Sequence, residues 1–108
     1  DSEVSAQAAE QGNIEVLEWL QKKGCPIDTG SYLGALDHDR MDTMEWLYKN
    51  AVPLEVSVIK YVAHDGDLKY IKWLRERNCP WDSSVYLAAV NRGHYEAARW
   101  MVDNGCPV

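Results

Sequence analysis

At 108 residues the chain holds about one domain's worth of sequence, and 46% apolar residues are enough for a core. A net charge of −6 and a pI of about 4.9 argue against phosphate-rich partners, both nucleic acid and an anionic membrane surface, and no apolar run is long enough to cross a bilayer. Three cysteines, Cys25, Cys79 and Cys106, form no Cys-x-x-Cys pair, so zinc is not expected and unpaired thiols fit a reducing, intracellular compartment, cytoplasmic or nuclear.

The opening "DSEVSAQAAEQGN" is polar and acidic and does not read as a signal peptide; a chain that starts at Asp rather than Met reads as a piece of a longer one. Within it, "SAQAAEQ" is a short helix of small residues, and Gly12 turns the chain back. From Asn13 to Lys23, "NIEVLEWLQKK" places Ile14, Leu17 and Leu20 three apart, with Val16 and Trp19 widening the same face, which predicts an amphipathic helix of about three turns. Gly24 follows and can end it in the left-handed conformation; Pro26 prevents it from resuming. Asp28 then caps the next helix, "SYLGALDH", whose apolar face is Tyr32, Leu33 and Leu36. Asp39 stands where Gly12 stood and is expected to cap the helix that carries Trp46. That helix runs into Ala51, Val52 and Pro53. Glu55, a poorer cap, precedes "SVIKYVAH" and the turn at Gly66. "KYIKWLRER" follows, then Asn78, Cys79 and Pro80. Asp82 opens "SVYLAAVN", with Tyr86, Val90 and the small pair Ala88–Ala89 facing inward; Gly93 turns the chain into "GHYEAARWMVDNGCPV".

Tryptophan falls at 19, 46, 73 and 100 and proline at 26, 53, 80 and 107, so both recur every 27 residues (46 − 19 = 27) through the whole chain. The units are 1–27, 28–54, 55–81 and 82–108, each helix, tight turn, helix, short loop. One such hairpin cannot bury its own apolar face, so neighbours must stack with axes roughly 8–10 Å apart. The expected fold is all-α: an α-solenoid of four helix-turn-helix repeats in a single domain.

"GNIEVLEWLQKKGCPID", "GDLKYIKWLRERNCPWD" and "GHYEAARWMVDNGCPV" resemble the second half of an ankyrin repeat, and "YLAAVNRGHYE" at Tyr86–Glu96 resembles the junction between its two halves. The resemblance covers all four units, the second least well. It is to the short Trp/Cys-Pro variety of ankyrin-like repeat found in large DNA viruses and some protists. An ordinary ankyrin repeat is about six residues longer and spends them on a β-hairpin finger. Here the finger is expected to be short or absent, and the Thr-Pro-Leu-His motif is missing.

A residue that recurs at one position of a stacked array is an inter-repeat contact, so Trp19, Trp46, Trp73 and Trp100, with Pro26, Pro53, Pro80 and Pro107, are expected to be structural. Trp81 shares a register with Ile27, Leu54 and Val108 and is expected in the core. Cys79 and Cys106 lie one unit apart, roughly 10 Å, too far for a disulfide, and Val52 fills the same slot. Lys69, Lys72 and Arg75 are expected to pair with acids of neighbouring units, Asp42, Glu45 and Glu96. "DHDRMD" and "HD" gather His38 and His64 with carboxylates, but without a His-x-x-x-His, so no metal is expected.

There is no Ser-His-Asp spacing and no glycine-rich phosphate loop, hence no expected catalysis, cofactor or small-molecule substrate. The resemblance implies a monomeric protein-binding scaffold that uses a concave face. The alternatives are a structural spacer in a longer array, or a substrate-recruiting arm of an adaptor such as a ubiquitin-ligase component. The positions that vary most at the end of each first helix are Glu10, Gln11, Asp37, His38, His64, Asp65, Asn91 and Arg92. In ankyrin repeats the matching positions face the groove, so these four pairs are the expected partner surface, a strip about 30 Å long at roughly 10 Å per unit.

Overall fold

The structure, a computed structural model, describes residues 2–108. Among the described residues there are eight α-helices and no strand: α1 Ser2–Glu10, α2 Ile14–Lys22, α3 Gly30–Asp37, α4 Met41–Lys49, α5 Val56–Asp65, α6 Leu68–Glu76, α7 Ser83–Asn91 and α8 Tyr95–Asp103. The even-numbered helices start at 14, 41, 68 and 95, in step with the sequence period (41 − 14 = 27). The fold is all-α and repeat-like.

Every helix ends the same way. Residues 12, 39, 66 and 93, and residues 24, 51, 78 and 105, all have positive φ, between 54° and 94°. The amide just after each of them reaches back to an apolar residue's carbonyl: Asn13 to Ala8, Cys25 to Leu20, Val52 to Leu47, Cys79 to Leu74 and Cys106 to Met101 among them, at 2.8–3.1 Å. This is the Schellman closure, which satisfies carbonyls that a helix end leaves open. It also explains the Cys-Pro signature. The residue after the left-handed position packs on the helix it has just left, so a small apolar group is wanted there. Cys79, Cys106 and Val52 are buried at that place and Cys25 is half-buried. Proline then stops the helix.

After odd-numbered helices the closing residue is polar instead: Asn13, Arg40, Asp67 or His94. Each is also the N-cap of the helix that follows, which keeps the turn short. Asn13 Oδ1 accepts from the Val16 amide at 3.2 Å. Asp39 therefore does not hold the cap position expected of it. It takes the left-handed place, with φ 54°, and Arg40 is the N-cap of α4. The acids before the other helices behave as read. Asp82 accepts from the Ser84 amide at 2.9 Å, Asp28 from the Gly30 amide at 3.1 Å, and Glu55 caps with no side-chain bond.

The chain divides into two compact units, Asp1–Pro53 and Leu54–Val108. In the first, α1 packs on α3, with α2 against α1 and α4 against α3. Gly34 makes the α1–α3 approach possible, since a Cβ there would stand 2.7 Å from the Ala6 carbonyl oxygen. Ser31 donates to Ser5 at 3.3 Å across the same contact. Leu17, Leu20, Tyr32, Met44 and Leu47 form the core. The Tyr32 hydroxyl donates to the Val52 carbonyl at 2.7 Å and Thr29 to that of Pro53 at 2.9 Å, so the loop after α4 is tied to the start of α3.

In the second unit α5 packs on α7, α6 on α5 and α8 on α7. Ile59, Ile71, Leu74, Val85 and Met101 are fully buried. The inward stripe of α7 is Val85 and Ala89, four apart, rather than Tyr86 and Val90, which are half-buried. Here thiols do the tying: Cys79 Sγ donates to the Glu55 carbonyl at 3.4 Å and Cys106 Sγ to that of Asp82 at 3.6 Å. Burial pushes the Cys79 thiol from an ordinary 9.0 up to about 11, and raises that of Cys106 as well.

The tryptophans are not uniform. Trp73 is 8% exposed, Trp46 and Trp100 are half-buried, and Trp19 is 57% exposed, which overturns its expected place in the core. Trp100 is covered by two neighbours. Its ring meets Trp81 edge-on with centroids 6.4 Å apart, and Lys72 Nζ stands 5.9 Å from its centre. Both partners belong to the preceding 27-residue unit, whereas the neighbour of Trp19 is local, Lys23 Nζ at 5.9 Å from its ring centre. Lys72 and Arg75 thus meet aromatic faces where acids were expected, Arg75 lying 4.1 Å from the Trp81 ring. Trp81 itself is half-buried, and Val108 at the same register is 77% exposed, so that register is not a core position.

Candidate partner-binding surface

All eight residues expected to meet a partner are exposed, and they sit at the C-terminal ends of odd-numbered helices and the turns after them. In the first unit, α1 and α3 bring Glu10 and Gln11 near Asp37 and His38. His38 Nε2 lies 2.9 Å from Glu10 Oε1, both side chains about half exposed. Arg40 Nε donates to the Glu10 backbone carbonyl at 3.3 Å, and its side chain lies over Gly12, where a Cβ would stand 3.0 Å from Arg40 Cδ. Glu10 is therefore held from two sides. It orders this end of the unit as much as it displays a charge.

In the second unit, α5 and α7 bring His64 and Asp65 to Asn91 and Arg92. His64 Nδ1 is 3.6 Å from Asp65 Oδ1. Gly66 lies under the His94 ring, which a Cβ at 66 would strike, so adjacent turns touch here as they do at Gly12 and Arg40. Between the helices runs a groove of about 410 Å³, lined by Lys60, His64, Ser84, Leu87, Ala88, Asn91 and Arg92. Leu87 is 51% exposed in it. Its lining includes two cations, Lys60 and Arg92, on a chain whose net charge is −6.

Leu87, Lys60 and Ser84 were not among the expected residues. A signal was present: 33, 60 and 87 share one register and carry Leu, Lys and Leu, so the slot has no fixed apolar demand and its leucines need not be core. Among the described residues no three His, Cys, Asp or Glu side chains come together to hold a metal, and no helix is long and apolar enough to cross a membrane. No protein-family model matches the chain, and neither a curated protein nor a solved structure matches it.

Proposed function

We propose that this chain is a non-catalytic protein-binding module: four ankyrin-like units stacked as an α-solenoid, taking a protein partner along the surface made by the ends of α1, α3, α5 and α7. The observation that carries this reading is the α5–α7 groove, whose lining holds a half-exposed Leu87 together with Lys60 and Arg92. An apolar anchor with a polar rim is how protein interfaces concentrate affinity. The partner that fits is a segment with one apolar side chain next to a carboxylate. An intracellular setting agrees with three free thiols, two of them buried.

Replacing Asp37, His64 and Arg92 together, and separately Leu87→Asp, is expected to abolish capture of whatever partner the parent chain retains, with circular dichroism melts unchanged. All four side chains are exposed, so stability has little reason to move. Full binding by both variants would place the site on the even-numbered helices or the ends of the chain.

A further inference from the structure

We infer that the groove between α6 and α8 is a second binding site, which takes an acidic residue of a peptide through its side-chain carboxylate and a backbone N–H. Lys72, Arg75, Glu76, Trp100 and Asn104 line this groove, an open space of about 260 Å³. Both walls are helices of the second unit, so it is not an uncovered end face. It lies on even-numbered helices, apart from the surface at the ends of the odd-numbered ones.

The α6 wall supplies the charge. Lys72 and Arg75 stand three residues apart on one face of α6. Among the described residues neither is within ion-pair distance of a carboxylate. Lys72 is exposed, with Nζ 5.9 Å from the centre of the Trp100 ring. Arg75 is held more firmly: its guanidinium lies 4.1 Å from the Trp81 ring and its Nη1 donates to the Cys79 carbonyl. A guanidinium fixed on a ring in this way keeps its other N–H groups in a set direction, which is what recognition of a carboxylate requires. The acid in the lining, Glu76, has Oε2 3.6 Å from Arg77 Nη1 and is offset by it. Two cations against a paired acid suit a single carboxylate. A polyanion is disfavoured by the net charge of −6 on the chain around them.

The α8 wall supplies an acceptor, and the first unit shows its use. Asn50 and Gln21 stand two periods before Asn104 and Arg75 (104 − 50 = 54, 75 − 21 = 54). Both asparagines donate to the carbonyl of the tryptophan one turn back, Asn50 to Trp46 at 2.9 Å and Asn104 to Trp100 at 2.8 Å. In the first unit, Asn50 Oδ1 also accepts from the Gln21 side-chain amide at 3.1 Å. In the second unit Arg75 stands at that register and is drawn to Trp81 and Cys79 instead. Among the described residues nothing donates to Asn104 Oδ1. The first unit thus fills with its own amide a place that the second leaves open beside two cations. A peptide N–H takes the role of the Gln21 amide there, and the carboxylate of the same residue reaches Lys72 and Arg75.

Titration of the isotope-labelled chain with a Gly-Glu-Gly peptide blocked at both ends, followed by the Trp100 indole and Asn104 side-chain resonances, tests this. Both are expected to shift and saturate with a Kd of about 1 mM or below. Lys72→Glu and Arg75→Gln bring in the residues that the first unit holds at these registers, Glu18 and Gln21, and each is expected to weaken binding about tenfold or more. If Arg75→Gln fails to fold, Lys72→Glu, at an exposed position, carries the charge test alone. Asn104→Leu is expected to lower the peptide's affinity to that of acetate, which has a carboxylate and no N–H. No shift at about 10 mM peptide overturns the inference. So does undiminished binding by Lys72→Glu, or acetate or inorganic phosphate binding the parent as tightly as the peptide. Leu87→Asp is expected to bind the peptide like the parent; loss there would move the peptide to the α5–α7 groove and overturn the inference as well.

Discussion

Truncating Trp73 removes a side chain that is 8% exposed, and Trp73→Ala is expected to cost roughly 3–5 kcal/mol, a large share of the stability of a domain this size. Trp19→Ala, at the same register but 57% exposed, should stay within about 0.5 kcal/mol of the parent. Chemical denaturation of the two variants side by side checks both; equal losses would mean that register alone sets the role. Cys79 gives a second expectation, in alkali. Its thiol holds its proton up to about 11 when folded, against 9.0 for an ordinary thiol. The folded state therefore binds more protons than the unfolded one between these values, and stability must fall as pH rises. The contribution is complete below pH 9 and is lost toward pH 11, by at most about 1.4 kcal/mol per pH unit. Cys106, also raised, acts in the same direction. Urea midpoints at neutral and alkaline pH should show a steeper loss for the parent than for a Cys79→Val, Cys106→Val variant, whose replacement residue already fills this slot at Val52.

The helices end where they do because backbone conformation is a local property, and so these ends were legible. Gly24, Asn78 and Gly105 tolerate positive φ, and Pro follows two residues later, which is enough to place the closure without knowing any neighbour. Ala51 sits at the same register with φ 63°, a conformation that costs an L-residue about 1 kcal/mol. Ala51→Gly is therefore expected to raise the urea midpoint with an unchanged m-value; a lower midpoint would show that the gain in unfolded-chain freedom outweighs the relieved strain. What the helices touch was harder to read. Lys72 and Arg75 lie over Trp100 and Trp81 because helix packing set those rings beside them, whereas the sequence offered acids at equally plausible registers. Leu87 was not singled out in the sequence, since an exposed leucine and a buried one are the same letter; the position of α5 beside α7 is what makes it part of a groove. The eight polar residues read from the sequence are all exposed, and Leu87 was not among them.

Each main packing pair joins helices that are adjacent or next but one in the chain, α1 with α2 and α3, α5 with α6 and α7. Contacts so local close small loops, and helical proteins of low contact order fold in about microseconds to milliseconds. Stopped-flow refolding by tryptophan fluorescence should therefore show its dominant amplitude within about 10 ms; a dominant phase lasting seconds would point to pairings of much longer range. The 27-residue spacing of the left-handed residues also bears on how such a gene can change length. In a periodic chain, a tandem duplication of one full period keeps every later residue in register wherever its break points fall. The copied codons bring both helix closures with them. An insertion inside a helix that is not a whole number of periods rotates the apolar residues beyond it away from that helix's buried face. Duplication or loss of whole periods therefore preserves both helix closures at any break point, whereas other changes of length are confined to the loops.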